Sequence, residues 1–272
     1  MRLLAHATAL ALCALLCAPA MPAAASARAD TAAQAGATAR ADTTAQAGTT
    51  ARAKTEVVFG YAWADGAGTL RVTPRAAAYR KPLHRFTALA GARPLRLAYT
   101  GAAYRRVTVA CDLKETEGQV AIDRQGRGTT RCTPDDLADS LRRGPVPVRV
   151  EHRDGRAVTV SEVLAQPSPS RVVRGTLRRA GDSAVLFTRA GRTVWLGRTG
   201  AVSFSRVTRR CGDGWLAGAP VNADRNGLGR KACTAADLDK ALKGAGHPVA
   251  VQVDYVPITE EVQQVWEVYG DA

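Results

Sequence analysis

Over the last two-thirds of the chain, apolar and polar residues alternate in short runs, a period of two that predicts half-buried β-strands. Val148-Arg149-Val150-Glu151-His152 and Arg156-Ala157-Val158-Thr159-Val160 flank Arg153-Asp154-Gly155, a turn signal that predicts a hairpin. Val249 to Val253 and Val262 to Trp266 predict a second hairpin with a longer connection. Earlier strands are expected at Val172 to Leu177, Ala184 to Thr188 and Thr193 to Leu196. Two stretches break this rhythm with leucines four apart, Leu137 with Leu141 and Leu238 with Leu242, which is helical spacing. Thr133 and Thr234 stand before them as N-caps, with Asp136 and Asp237 three positions on and Pro134 at a first helical position. Short helices are predicted over about 134 to 143 and 235 to 243, ending at Gly144 and Gly244.

The same pattern occurs twice. Asp123-Arg124-Gln125-Gly126-Arg127-Gly128 matches Asp224-Arg225-Asn226-Gly227-Leu228-Gly229, and Cys132-Thr133-Pro134-Asp135-Asp136-Leu137 matches Cys233-Thr234-Ala235-Ala236-Asp237-Leu238. Arg106-Val107-Thr108 faces Arg206-Val207-Thr208, and Leu141, Pro147, Val148 and Val150 fall opposite Leu242, Pro248, Val249 and Val251 at one offset. A tandem duplication follows: a first β-rich repeat domain over 55–166 and a second over 167–272, with the turn-rich Gln166-Pro167-Ser168-Pro169-Ser170 between them. The first copy carries extra residues around Ala76 to Ala90, where a long surface loop is expected. The fold class predicted is mostly β (α+β), a doubled β-barrel-like domain with one short helix per copy. Its order of several strands, one helix and two strands resembles the topology of the oligonucleotide- and oligosaccharide-binding fold. That resemblance implies an architecture and no activity.

The first 54 residues lack the mixture a core needs. Met1-Arg2 followed by the apolar Leu3 to Leu16 reads as a secretory leader, cut after Ala25-Ser26-Ala27 and giving a segment of 1–27. A lipid anchor on Cys17 is disfavoured because Leu16, a large residue, precedes it. Residues 28–54 repeat the unit Ala-Arg-Ala-Asp-Thr and its Ala/Gln/Gly/Thr continuation, which has no large apolar side chain and reads as a flexible spacer. No later run is long and apolar enough for a membrane helix.

Of six cysteines, two fall in the leader, and the remaining four lie two per copy. Export to an oxidising compartment and the duplication together predict the disulfides Cys111–Cys132 and Cys211–Cys233. Zinc is disfavoured, because neither pair offers a close doublet. The net charge is +14, carried mostly by arginine. A chain so rich in Ala, Gly, Val and Arg resembles secreted actinobacterial-type proteins from high-GC genomes, so composition alone accounts for part of that excess. The charge suits association with an anionic cell-wall polymer or polysaccharide, and another secreted protein is a further possible partner.

Chemistry is sparse. His84, His152 and His247 do not recur between the copies, and Ser183 in Gly181-Asp182-Ser183 lies between strand-like runs in a turn context, so no catalytic residue, metal site or cofactor is predicted. The Asp-Arg-x-Gly-x-Gly segments hold too few oxygen side chains for calcium and do not open a helix as a phosphate loop does, which leaves a structural turn. Candidate binding residues are Trp215, in the glycine-rich loop after Cys211, and the basic pairs Arg209-Arg210 and Arg230-Lys231. A buried role for Trp215 is the competing expectation. The function expected is a secreted non-enzymatic binding module. An extracellular hydrolase with an inter-domain site and a secreted protease inhibitor are the alternatives.

Overall fold

The computed structural model describes residues 54–270. The expected leader, Cys17 and nearly all of the expected spacer lie outside the described residues. The first repeat runs β1 (Glu56–Ala64), β2 (Thr69–Arg80), β3 (Leu83–Ala88), β4 (Leu95–Ala98), β5 (Ala103–Arg106), β6 (Thr130–Cys132), α1 (Pro134–Arg143), β7 (Val146–Arg153) and β8 (Arg156–Glu162). The second runs β9 (Arg171–Arg179), β10 (Ala184–Arg189), β11 (Arg192–Arg206), β12 (Lys231–Cys233), α2 (Ala235–Ala245), β13 (Val249–Val256) and β14 (Glu261–Glu267).

These strands form two similar sheets, as a tandem duplication requires. In the second repeat β9 pairs with β10 and β13, β10 with β11, and β13 with β14, while β14 runs parallel to β11. The ring closes into a five-stranded barrel with α2 entering before its last two strands, the topology of the oligonucleotide- and oligosaccharide-binding fold. The first repeat follows the same order. There the counterpart of β11 is broken into β4 and β5 at Gly101, whose φ of +86° suits glycine, and one residue pair, Ala98 with Arg156, joins β4 to β8.

Alternation decides which side chains fill each ring. Leu70, Val72, Leu97, Val148, Val150 and Val160 point inward in the first repeat, and Leu177, Val185, Phe187, Leu196, Val251 and Val265 in the second. Each helix closes one end of its ring with its two leucines, Leu137 and Leu141 or Leu238 and Leu242. Both helices start in a full capping box: the Thr133 and Thr234 hydroxyls accept from the Asp136 and Asp237 amides, and those carboxylates accept in return from the threonine amides.

Three expectations need correction. The second helix does not stop at Gly244 but continues to Ala245, with left-handed Gly246 as its cap. The residues around Ala76 to Ala90 are not a loop: β2 extends to Arg80 and pairs with β3, because Phe86 finds cover against Tyr61 and Val163 in a small third cluster. The offset beyond the helices is also wrong by two residues. Val148 opposes Glu162 and Gly60, whereas the positions opposite Glu267 and Gly175 belong to Val251, so Val251 and not Val249 is the counterpart of Val148. The longer α2 and its cap absorb the difference. The hairpin turn is as expected, with Asp154 and Gly155 both at positive φ.

The two repeats pack against each other through unequal surfaces. Trp63 of β1 donates its indole N–H to the Thr259 carbonyl at 2.8 Å, and Arg75 reaches Ile258 and Glu260 on the β13–β14 connection. Trp195 of β11 meets Trp63 edge to face, with Arg71 stacked 4.5 Å from the Trp195 ring centroid. The outer face of the first sheet is covered at Trp63 by the second repeat and at Phe59 and Tyr61 chiefly by His84 and Phe86 of its own β3. This explains why β1 carries Phe59, Tyr61 and Trp63 where the register of β9 places Arg174, Thr176 and Arg178.

Candidate functional site

Each cysteine loop is built on a buried ion pair. The cysteines are joined as Cys111–Cys132 and Cys211–Cys233, with Cα atoms 5.7 Å apart in each pair. Beneath the second bridge, Arg206 Nε and Nη2 bond the two oxygens of Glu267 at 3.2 and 3.0 Å, and neither side chain is exposed. The same guanidinium donates to the carbonyls of Cys211, Asp213 and Gly214, so one buried charge fixes the course of the disulfide loop. In the first repeat Arg106 pairs with Glu162 and donates to the carbonyls of Cys111 and Leu113. Tyr104 stands where the second repeat has Phe204, and its hydroxyl bonds both Glu162 and Ser140. Burial, and then the neighbouring Glu162 carboxylate, push its phenol far above the ordinary tyrosine range, so it remains a donor. Sequence reasoning matched the arginines but missed the glutamates. The repeated Val160-Ser161-Glu162-Val163 and Val265-Trp266-Glu267-Val268 was the available signal.

The Asp-Arg-x-Gly-x-Gly segments are closed by their own aspartates: Asp123 Oδ1 accepts from the Gln125 and Arg127 amides, Asp224 Oδ1 from the Asn226 and Leu228 amides. A Cβ on Gly128 or Gly229 would lie 2.4 or 2.5 Å from the backbone at Arg106 or Arg206, so each last glycine permits the close approach that seats the paired arginine.

Trp215 folds under. Its ring stacks on Phe204 at 5.8 Å with 20° between the planes, the Arg206 guanidinium carbon lies 5.9 Å from its centroid, and its buried N–H has no partner. Arg209 and Arg210 are exposed beside it, Arg210 held to Asp213. Asn222 hydrogen-bonds Val207 and Thr208 on one side and accepts from the Arg230 amide on the other, which brings Arg209-Arg210 and Arg230-Lys231 onto neighbouring segments of one loop cluster. The histidines do not converge: His84 is buried against the Gln125 carbonyl, with burial holding its pKa low, His152 lies near Glu56, and His247 is exposed. Asp182 beside Ser183 pairs with Arg179 in an exposed turn. Asp136 and Asp237 approach the cysteine sulfurs, but those sulfurs are spent in disulfides and offer no thiolate to a metal.

Arg209, Arg210 and Asp213 line a cavity of about 510 Å³ in the loop cluster of the second repeat, and two further open surfaces lie apart from it. On the second repeat, Thr176, Thr188 and Thr193 form a row across β9, β10 and β11, with Arg174 and Arg178 on either side of Thr176. Neither arginine has a carboxylate partner among the described residues. Arg178 leads into a cavity of about 400 Å³ shared with Arg179, Lys243 and His247, so the basic strip is continuous. On the first repeat, a cavity of about 410 Å³ opens over the buried Arg106, Glu162 and Ser140.

No known family, curated protein or solved structure matches the chain. The two disulfides suit an oxidising environment, and no helix among the described residues is long and apolar enough to cross a membrane.

Proposed function

We propose that the protein is a secreted, non-enzymatic module that binds an anionic polymer of the cell envelope through the outer face of its second repeat. The observation that carries this reading is the exposed pair Arg174 and Arg178 beside the threonine row, on the sheet face whose counterpart in the first repeat carries Phe59, Tyr61 and Trp63, with Lys243 and His247 next to Arg178 at the end of α2. Guanidinium groups grip phosphate or carboxylate in pairs of hydrogen bonds, and the threonine hydroxyls donate to or accept from sugar hydroxyls. Trp63, Trp195 and Arg75 fill the centre of the junction, and the cavity of about 440 Å³ at its edge, between Phe86 and Ile258, holds Arg85 and Arg171 but, among the described residues, no carboxylate or histidine.

Retention on a purified anionic wall polymer at low and high salt tests the reading. Binding should weaken steeply with salt, and Arg174→Glu with Arg178→Glu should abolish it at low salt. Equal retention of the double variant, or equal binding to an uncharged glycan, would exclude this face.

A further inference from the structure

The two repeats treat one place differently. In the second, Trp215 lies in the cysteine loop with its indole stacked on Phe204 and beside Arg206, packed against the barrel core together with Ala245 near the end of α2. The loop closes further when the Leu216 amide donates to Glu267 at 2.7 Å. Counted from the first cysteine of each loop, Glu115 occupies the place of Trp215 in the first repeat, and there the loop residues Lys114, Glu115 and Thr116 stand at the wall of the cavity of about 410 Å³. That cavity is bounded by Arg106 and Glu162, the counterparts of Arg206 and Glu267, and by Gly144 at the end of α1. By this count the second repeat sets an indole where the first has Glu115 beside an open cavity.

The walls differ in polarity as well. Trp215 leaves its N–H without a partner, and the core positions Phe204 and Ala241 of this repeat carry no acceptor. In the first repeat those positions are Tyr104 and Ser140, and the Ser140 hydroxyl and the Glu162 carboxylate both line the cavity while nine-tenths or more buried. Val107, Val146 and Val163 supply apolar wall around them. An occupant is therefore offered apolar wall and, at Ser140, a buried hydroxyl where the second repeat has Ala241.

We infer that the cavity over Arg106 and Glu162 is a binding site for a planar aromatic group bearing an N–H donor, of the size and chemistry of indole. It belongs to the first repeat and does not depend on the basic face of the second. The ring enters where Trp215 sits in the sister repeat, between the cysteine loop and the end of α1, and its N–H donates to Ser140 or Glu162.

Calorimetric titration of the purified full chain with indole tests this, with N-acetyl-tryptophanamide as a parallel arm to distinguish a free ring from a side chain borne on a peptide. The wild type should take up one equivalent of at least one of the two. Glu115→Trp, which copies the second repeat, should take up none while keeping its thermal unfolding temperature, and Ser140→Ala should bind about tenfold more weakly through loss of one buried acceptor. Trp215→Glu should open a second site and raise the stoichiometry to two. Should that variant fail to fold, Glu115→Trp and Ser140→Ala decide. Absence of saturable uptake of both probes by the wild type, or uptake unchanged by Glu115→Trp, overturns the assignment.

Discussion

Arg206 and Glu267 face each other as a two-bond ion pair from which solvent is wholly excluded, and three carbonyls of the disulfide loop occupy the remaining guanidinium donors. Removing one partner leaves the other charged and buried. Glu267→Ala should therefore destabilise the chain by about 3–5 kcal/mol. Arg142→Ala, which removes an exposed pair with Asp139, should change stability by less than about 0.5 kcal/mol. Urea unfolding of the two variants beside the wild type checks the contrast, and equal effects would contradict the role given to the buried pair.

The junction between the repeats is packed closely enough to be probed with one methyl group. A Cβ on Gly197 would lie 2.6 Å from ring atoms of Trp63, so Gly197→Ala must displace the indole and its bond to Thr259. A loss of about 1–3 kcal/mol is expected. Separate thermal transitions for the two repeats, seen by calorimetry in the variant and not in the wild type, are the outcome that follows from a weakened junction. An unchanged melting profile would mean that the contact contributes little.

Each disulfide closes a loop over a core modest in aromatic content. Replacing Cys211 and Cys233 together by serine should cost about 3 kcal/mol in the chain-entropy view. Non-reducing peptide mapping of the wild type should recover Cys111 linked to Cys132 and Cys211 linked to Cys233. Any link between the repeats would contradict the fold.

Acid should loosen both helix starts. Asp136 is held below the ordinary carboxylate range by the Thr133 hydroxyl and then its amide, and Asp237 by the Thr234 amide and then its hydroxyl. Because the folded values are depressed, their contribution is fully present above the unfolded carboxylate value, about 3.9, and is lost as pH falls through the lower folded values. Denaturant midpoints followed from neutral to strongly acidic pH should decline in that range. The decline should be shallower in the Asp136→Asn, Asp237→Asn double variant, and an equally steep decline would assign the acid sensitivity elsewhere.

Much of the local structure was legible because its causes are local. Thr133 with Asp136 and Thr234 with Asp237 specify capping boxes through residues three apart, and Asp154-Gly155 specifies its turn through backbone preference alone. The duplication likewise announced one architecture twice. The register after the helices was misread, since one residue added to the helix end and one to the connection after it shift every later strand by two, and only pairing with Gly60 or Gly175 reveals the shift.

By itself, the amino-acid order determined the strand-rich class, the helix starts, the doubling and the partition of the cysteines, all of which rest on periodicity or near neighbours. Tertiary structure alone decided that Arg106 meets Glu162 and Arg206 meets Glu267 across more than fifty residues, that the outer face of one repeat is buried and that of the other open, and that Trp215 stacks on Phe204 while a cavity stands beside Glu115. Such contacts depend on which surfaces the folded repeats present to each other, and the alternation along a strand states only that a residue faces outward, never what it meets there.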